Sequence, residues 1–358
     1  MTRVFIIACT ILWIWADGAS ARIWHISADG SGDAATIQSG LDSSSVGDTV
    51  LVACGVYYES AIDVTSGIVL LSETGESGCV TIDAQGENRV IECHNCDQPT
   101  IIAGFTFRNG TPWGYFTYGG GMYCTLCVSL TITDCAFIGN SADFGGGLYC
   151  DYSSLSIADC VFSDNTVTSY GGGLFCTGNS IVDMTHVLVA RNHSYGVGGG
   201  IACGTPTLTV LSSTISGNQA DANEHFGEPG GGGMYLYGEA TARVEHTMII
   251  SSTGGEGIWC TGEISPEVVC CDIWGNADGD WIGCIADQYG VKGNFSEDPK
   301  FCDTASGRLT VETCSPCLPG HHPVGYDCGI AIGAYLGGCG CGEATQPTSW
   351  GAIKALYR

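Results

Sequence analysis

Positive charge is scarce in this chain. Eleven Lys and Arg stand against 37 Asp and Glu, a net charge of −26 over 358 residues. A nucleic acid would be repelled, because nothing here supplies the counterion release that drives such binding. Long apolar runs are scarce too. Beyond the N-terminal segment no stretch reaches the ~18 consecutive apolar residues that a membrane-spanning helix needs, so no span is expected once that segment is removed. Convincing 3.6-residue periodicity is also missing from the central part of the chain, which argues against a helical repeat. The acidity reads as solubility, with weak Ca²⁺ binding by surface carboxylates as the alternative. No resident cofactor or metal site is expected.

What the chain does have begins at residue 1. MTRVFIIACTILWIWADGASA (1–21) combines a basic Arg3, an apolar run from Val4 to Trp15 and an Ala19-Ser20-Ala21 cleavage site, the pattern of a secretory signal peptide. The expected location is secreted or cell-surface. Of 22 cysteines, 21 remain after loss of Cys9. In an oxidising compartment they can form disulfides. An odd number leaves at least one thiol free or paired outside the chain, and the pairing cannot be deduced.

Glycine-led blocks recur: GGGMYC (119–124), GGGLYC (145–150), GGGLFC (171–176), GGGIAC (198–203), GGGMYL (231–236) and GEGIWC (255–260). Their third glycines step by 26, 26, 27, 33 and 24 residues. Between them runs a second motif that ends in a large apolar residue followed three positions later by Asn: Phe137/Asn140, Phe162/Asn165, Val189/Asn192, Ile215/Asn218 and Ile273/Asn276. Period-2 alternation is frequent within each unit. About 25 residues per turn, several short strands and a recurring Asn point to a stacked repeat, specifically an all-β parallel β-helix. Asn tolerates left-handed backbone, and Asn140, Asn165, Asn192, Asn218 and Asn276 are expected to stack as a structural ladder.

Coils stacked about 4.8 Å apart turn each aligned position into a column. Position one after the glycines is aliphatic throughout. Position three reads Cys124, Cys150, Cys176, Cys203, Leu236, Cys260. Leu at this position marks it as buried, with Cys serving as a small hydrophobe. These cysteines are expected to be mostly reduced, although neighbouring Cα atoms would lie within disulfide range. Position two reads Tyr123, Tyr149, Phe175, Ala202, Tyr235, Trp259 and shares its face with the polar column that includes Asp151, so it is expected to point outward. The aromatics either stack on one another or form a platform for sugar rings or a partner protein. Another column, Asp134, Asp159, His186, Ser212, His246 and Cys270, could suggest acid–base chemistry but reads as a solvated face.

The ends differ from the middle. Residues 22–48, with Ile37 and Leu41 at i, i+4, read as a cap with a short helix over the open end. Regular coils are expected over about 119–280. A Cys-rich cap follows at about 281–341, including Cys314-x-x-Cys317, Cys339-x-Cys341, His321 and His322. Zinc is conceivable there, but the spacing and compartment favour disulfides. The β-helix domain is taken as 22–340 and the segment 342–358, ending SWGAIKALYR, as a tail. Sequons stand at Asn109, Asn192 and Asn294.

The IQSGLD…GDTVLVACGVYYE…VTIDA run and the later coils resemble right-handed parallel β-helix proteins of the pectate-lyase-like superfamily. The glycine blocks with FIGN and FSDN are similar to the repeats of polymorphic outer membrane proteins. That resemblance implies a single right-handed solenoid and a surface adhesin role. It does not supply an active site: no DFIFG-like or LGRPW-like block of pectin methylesterases occurs, and His321 and His322 lie in the cap. The coil arginines Arg89, Arg108, Arg191 and Arg243 have no obvious Asp cluster in neighbouring columns. One fold hosts unrelated functions. The expected function is a non-catalytic surface or secreted binding protein for polysaccharide, cell-surface glycan or protein, with Tyr123, Tyr149, Asp151, Phe175, Tyr235 and Trp259 as the ligand-binding face. The alternative is a polysaccharide lyase or glycoside hydrolase.

Overall fold

The computed structural model describes residues 21–204, 207–221, 230–303, 308–323, 328–335 and 337–342. Residues 1–20 of the expected signal peptide and the SWGAIKALYR tail lie outside the described residues. Three parallel sheets of ten, eight and nine strands run the length of the molecule, with a four-stranded sheet at one corner. Each strand inside these sheets pairs with its equivalent one coil earlier and later, as Leu130–Thr133 does with Thr100–Ala103 and Ser154–Ala158. The result is a parallel β-helix of about nine turns. Parallel crossovers of this kind wind right-handed almost without exception. No helix of the described residues is long and apolar enough to cross a membrane.

Each coil visits three faces in order. In one turn the first face is Ser154–Ala158, the second Val161–Ser163 and the third, after the fourth-sheet strand Thr166–Tyr170, Leu174–Thr177. Inward residues along the lumen form one buried hydrophobic core. Phe107, Phe137 and Phe162 stack at 5.1 and 4.8 Å along the second face, continued in register by Val189, Ile215, Ile249 and Ile273. Each such buried side chain contributes about 1.5–3 kcal/mol, but only when a neighbouring coil covers it.

The corners explain the polar columns. Asp134, Asp159, His186, Ser212, His246 and Cys270 all adopt φ between 44° and 54°, at the bend from first to second face. Short polar side chains tolerate that left-handed geometry best, which accounts for much of the column's composition. The expectation of a uniformly solvated face needs correction. Asp134, Asp159 and His186 are exposed, but His246 is half-buried against the Cys328 carbonyl at 3.2 Å and Cys270 is buried in a disulfide with Cys328. At the next corner the Asn column is buried. Asn140, Asn165 and Asn192 each donate from Nδ2 to the next Asn Oδ1 at 2.9–3.1 Å, and also to a backbone carbonyl of the preceding coil. Ser252 stands between Asn218 and Asn276 in this column, its N–H donating to Asn276 Oδ1 at 3.0 Å. Burial of Asn192 and Asn294 removes both as glycan acceptors and leaves the exposed Asn109.

The glycine blocks make the third corner. Gly145 has φ +63°, and a Cβ on Gly147 would lie 2.5 Å from the Gly173 carbonyl oxygen of the next coil. Position three then brings Cys93, Cys124, Cys150, Cys176 and Cys203 into register, all buried and unpaired. Cys260 follows Leu236 in register in the same column but differs in state. It is half-buried and bridged to Cys284, because at the last coil the chain turns into a 3-10 segment, Gly283–Gln288, instead of supplying another strand.

At the N-terminal end the helix Ile37–Ser43 buries Ile37, Gly40 and Leu41 over the first coil. Thr36 and Ser39 form its capping box, and Glu59 accepts from the Ile37 and Gln38 N–H groups at 2.9 and 3.1 Å. The Cys-rich C-terminal segment does more than cover the other end. It turns back as a strap along the outside of the second face, where Leu309 packs on Ala136, Val161 and Leu188, and Val311 and Ile332 pack with Met248 and Ile250. Cys270–Cys328 ties the strap to the coils, while Cys302–Cys339 and Cys314–Cys341 close it internally.

Candidate binding face

The outward side of the third face carries the position-two aromatics, and their exposure differs from expectation. Tyr149, Phe175 and Tyr235 are buried, while Tyr123 and Trp259 are half-buried. The cause is the residue that precedes each glycine corner. Tyr118, Phe144 and Tyr170 fold over the column from the side. Tyr118 meets Tyr149 at 4.8 Å and Phe144 at 5.1 Å, and Tyr170 meets Phe175 at 5.5 Å. Tyr237 closes the set against Tyr235 at 5.7 Å. A second, external aromatic core results, and its burial pushes the Tyr149 and Tyr237 phenols well above their ordinary range. Such pairs add about 0.5–1.5 kcal/mol each beyond area burial. Asp151 stays half-exposed, its carboxyl raised by partial desolvation.

The two most exposed aromatics among the described residues lie on one loop. After Asn140, Asn165 and Asn192 four or five residues separate the Asn position from the first glycine, whereas twelve follow Asn218, most of them outside the described residues. Between Gly110, which occupies the Asn position, and Gly119 there are eight. The extra residues carry Trp113, Tyr115 and Phe116 outward, at 81, 90 and 61% exposure. Both ends of the loop are pinned. The Thr111 N–H donates to the Asn88 carbonyl at 2.9 Å, and Thr117 donates from N and Oγ1 to Asp143 Oδ2 at 2.8 and 2.9 Å. Tyr115 and Phe116 meet edge to face at 4.9 Å, and Phe116 lies 6.3 Å from Phe144 of the external core. The aromatic tips are exposed but the loop is held. Counting residues from ladder position to glycine would have flagged this insertion. The alternation pattern draws attention only to the columns.

Beside the loop's base lies a charged group. Arg89, one residue beyond the Asn88 contact, donates to Glu92 Oε2 at 2.6 Å and covers the Tyr123 ring at 4.8 Å. His94 Nε2 approaches the same Glu92 oxygen at 3.6 Å and its ring lies 5.2 Å from Tyr123. Asp63 is the in-register neighbour of Glu92. The coil arginines, for which no Asp cluster was expected in neighbouring columns, are each held in an ion pair. Arg108 pairs with Asp83 at 2.9 Å, Arg191 with Asp164 at 2.8 Å and Arg243 with Glu245 at 2.7 Å. Asp83 and Asp164 come from the preceding coil, which a linear scan does not align, while Glu92 and Glu245 lie only three and two residues beyond their arginines. Chemically, the face offers flat apolar rings next to a neutralised Arg–Glu pair and an imidazole, a combination suited to a ligand with both apolar faces and hydroxyl edges.

Known proteins bear on this arrangement at the level of the repeat. The repeat model of the Chlamydia polymorphic membrane protein family matches residues 159–177, which span a bend, an Asn and a glycine block. This is a parallel β-helix repeat protein. Among solved structures, the solenoid is similar to the pectin methylesterase of Aspergillus niger in deglycosylated form, at 15% identity and a TM-score of 0.46 over 78% of this chain and 95% of that one. It is also similar to pectate lyase Pel9A, at 11% identity and a TM-score of 0.40 over 73% and 65% of the two chains. No curated protein matches the sequence.

Proposed function

We propose that this solenoid is an exported, non-catalytic binding protein of the cell surface or its surroundings, and that its ligand is glycan held by the 111–118 loop. The observation that carries the reading is three aromatic side chains exposed on one pinned loop. An exposed apolar cluster of this kind on a soluble fold marks an interaction site, and rings held in place lose little entropy on binding. Tyr123, Asp151, Arg89, Glu92 and His94 form the polar floor beside it. Tyr149 and Phe175 continue the column next to the floor, and Tyr235 and Trp259 lie four and five coils away from Tyr123, outside this site. The net charge of −26 favours a neutral polymer over a polyanion. Five disulfides among the described cysteines support an oxidising, extracellular setting.

The test is retention of the purified protein on immobilised neutral and acidic polysaccharides, with and without Ca²⁺, while chain shortening is followed in the same samples. Retention on neutral polymer, lost in Trp113→Ala with Tyr115→Ala at unchanged thermal stability, is the expected result. Equal retention by that double variant would overturn the loop as the site. Depolymerisation would overturn the non-catalytic reading. A second reading, hydrolysis or lysis of a polysaccharide, is favoured by the Asp63, Glu92, His94 and Arg89 grouping, and then loss of cleavage in Glu92→Gln is the expected outcome.

A further inference from the structure

The bend from the third face to the first carries a column that the loop alone does not explain. Two residues after the position-three side chain stand Asn95, Leu126, Tyr152, Gly178, Gly238 and Gly262, with φ between 45° and 69°. Such left-handed backbone suits Gly and Asn and disfavours bulky side chains. Leu126 and Tyr152 depart from that preference on two successive coils. Burial does not account for them, since both side chains are exposed, at 51 and 58%. Backbone held in an unfavourable conformation concentrates at ligand-contacting positions, and here it presents two apolar side chains to solvent.

The place of these two residues is specific. The 111–118 loop runs through Gly119–Gly121 into the strand Met122–Thr125, and Leu126 follows that strand directly. Tyr152 follows Leu148–Asp151 on the next coil. The third face is therefore bounded by the loop at one edge and by this pair at the other, with a strand of about 13 Å between them at about 3.3 Å per residue. The Leu126 N–H donates to the Asp151 carbonyl at 3.1 Å and joins the two coils. A Cβ on Gly178 would run into the Asp151 carboxylate and would lie 2.8 Å from Cδ2 of the Tyr152 ring. The ring thus sits beside an outward residue of the third face, and the following coil has glycine where both need room.

We propose that Tyr152, with Leu126 on the neighbouring coil, is the second wall of the glycan site, and that the ligand is a chain of several neutral sugar rings laid along the third-face strands. The inference rests on the 111–118 loop as the first wall. One ring packs on the loop aromatics and another on Tyr152, while Thr125 and Asp151, half-exposed between them, meet the ring hydroxyls. Tyr152 supplies a flat apolar surface next to a carboxylate acceptor, the pairing that suits a ligand with apolar faces and hydroxyl edges. A single sugar ring cannot touch both walls, so the site selects an oligomer over a free sugar. The left-handed strain at Leu126 and Tyr152 is retained because residues better suited to that backbone would remove the wall.

The experiment is calorimetric titration of the purified protein with neutral oligosaccharides of two, four and six rings cut from glucan, mannan and xylan, alongside urea denaturation of each variant. The expected result is affinity that rises with chain length in the wild type. Tyr152→Asn should weaken six-ring binding roughly tenfold and leave two-ring binding unchanged, while Tyr152→Phe keeps the length dependence. The urea midpoints of Tyr152→Asn and Leu126→Asn should equal or exceed that of the wild type, because Asn suits the left-handed corner. Six-ring binding that survives Tyr152→Asn but is lost in Trp113→Ala with Tyr115→Ala overturns the second wall and leaves the loop standing. Affinity independent of chain length also overturns it, as does a lowered urea midpoint in Tyr152→Asn, which would make the ring structural. No binding of any of these oligosaccharides by the wild type overturns the glycan reading and this inference with it.

Discussion

Asn192 illustrates how much one residue carries in a stacked fold. Its side chain donates to the Phe162 carbonyl and to Asn218 Oδ1, and accepts from the Asn165 N–H and Nδ2, with all four distances between 2.9 and 3.1 Å. Alanine there would leave buried partners on two other coils unpaired, at about 1–3 kcal/mol for each group left unsatisfied. Asn192→Ala should lower stability by about 3 kcal/mol or more, read as a shift in the urea midpoint at unchanged slope. Asp272 sets a pH dependence. Burial raises its folded pKa above the unfolded value, so the folded state holds the proton more tightly. The stability it contributes is full below the unfolded pKa and is lost as pH rises through the folded one. Asp272→Asn should therefore match the wild type in acid and exceed it increasingly towards neutral pH, as measured by denaturation between pH 3 and 8.

At the scale of the element, the glycine corner is the least tolerant feature. Gly147 has no room for a Cβ, because the Gly173 carbonyl of the next coil stands 2.5 Å from where it would lie. Gly147→Ala must push two coils apart and should cost more than about 2 kcal/mol. Gly217 also has positive φ, at +60°, but open space around it. Gly217→Asn should stay within about 0.5 kcal/mol of the wild type. Chemical denaturation of the two variants in parallel separates crowding from backbone conformation as the reason for glycine. The 111–118 loop is the opposite case. Its ends are pinned to Asn88 and Asp143, so losing the exposed rings should affect binding and leave stability alone.

For the whole molecule, the strap and the charge matter most. The second face has an apolar exterior at Ala136, Val161, Leu188, Met248 and Ile250, and the strap covers it. Cys270–Cys328 closes a loop with a sequence separation of 58, for which chain entropy predicts about 4 kcal/mol. Replacing both cysteines by serine should raise amide hydrogen exchange in 308–323 and 328–335 and on the strands beneath, while the lumen-facing coils far from the strap keep their protection. The net charge of −26 opposes compaction. Moderate salt, with a Debye length of about 8 Å at 0.15 M, should raise the melting temperature relative to low salt.

Alternation, the ~25-residue period, Asn140 to Asn276 and the glycine blocks determined the solenoid, because in a stacked repeat every coil restates the same local chemistry and the columns can be read by alignment. The buried cysteine register from Cys124 to Cys203 was legible for the same reason, since Leu236 marks the position as apolar. Tertiary structure decided what lies across a corner or outside the period. Tyr118, Phe144 and Tyr170 cover the aromatic column from a different strand, so outward orientation did not mean exposure. The strap finds the second face across more than 100 residues of sequence, and only folding pairs Cys270 with Cys328 and Cys317 with Asp272. Periodicity encodes contacts one coil apart; contacts between non-equivalent positions leave no such trace and emerge only from packing.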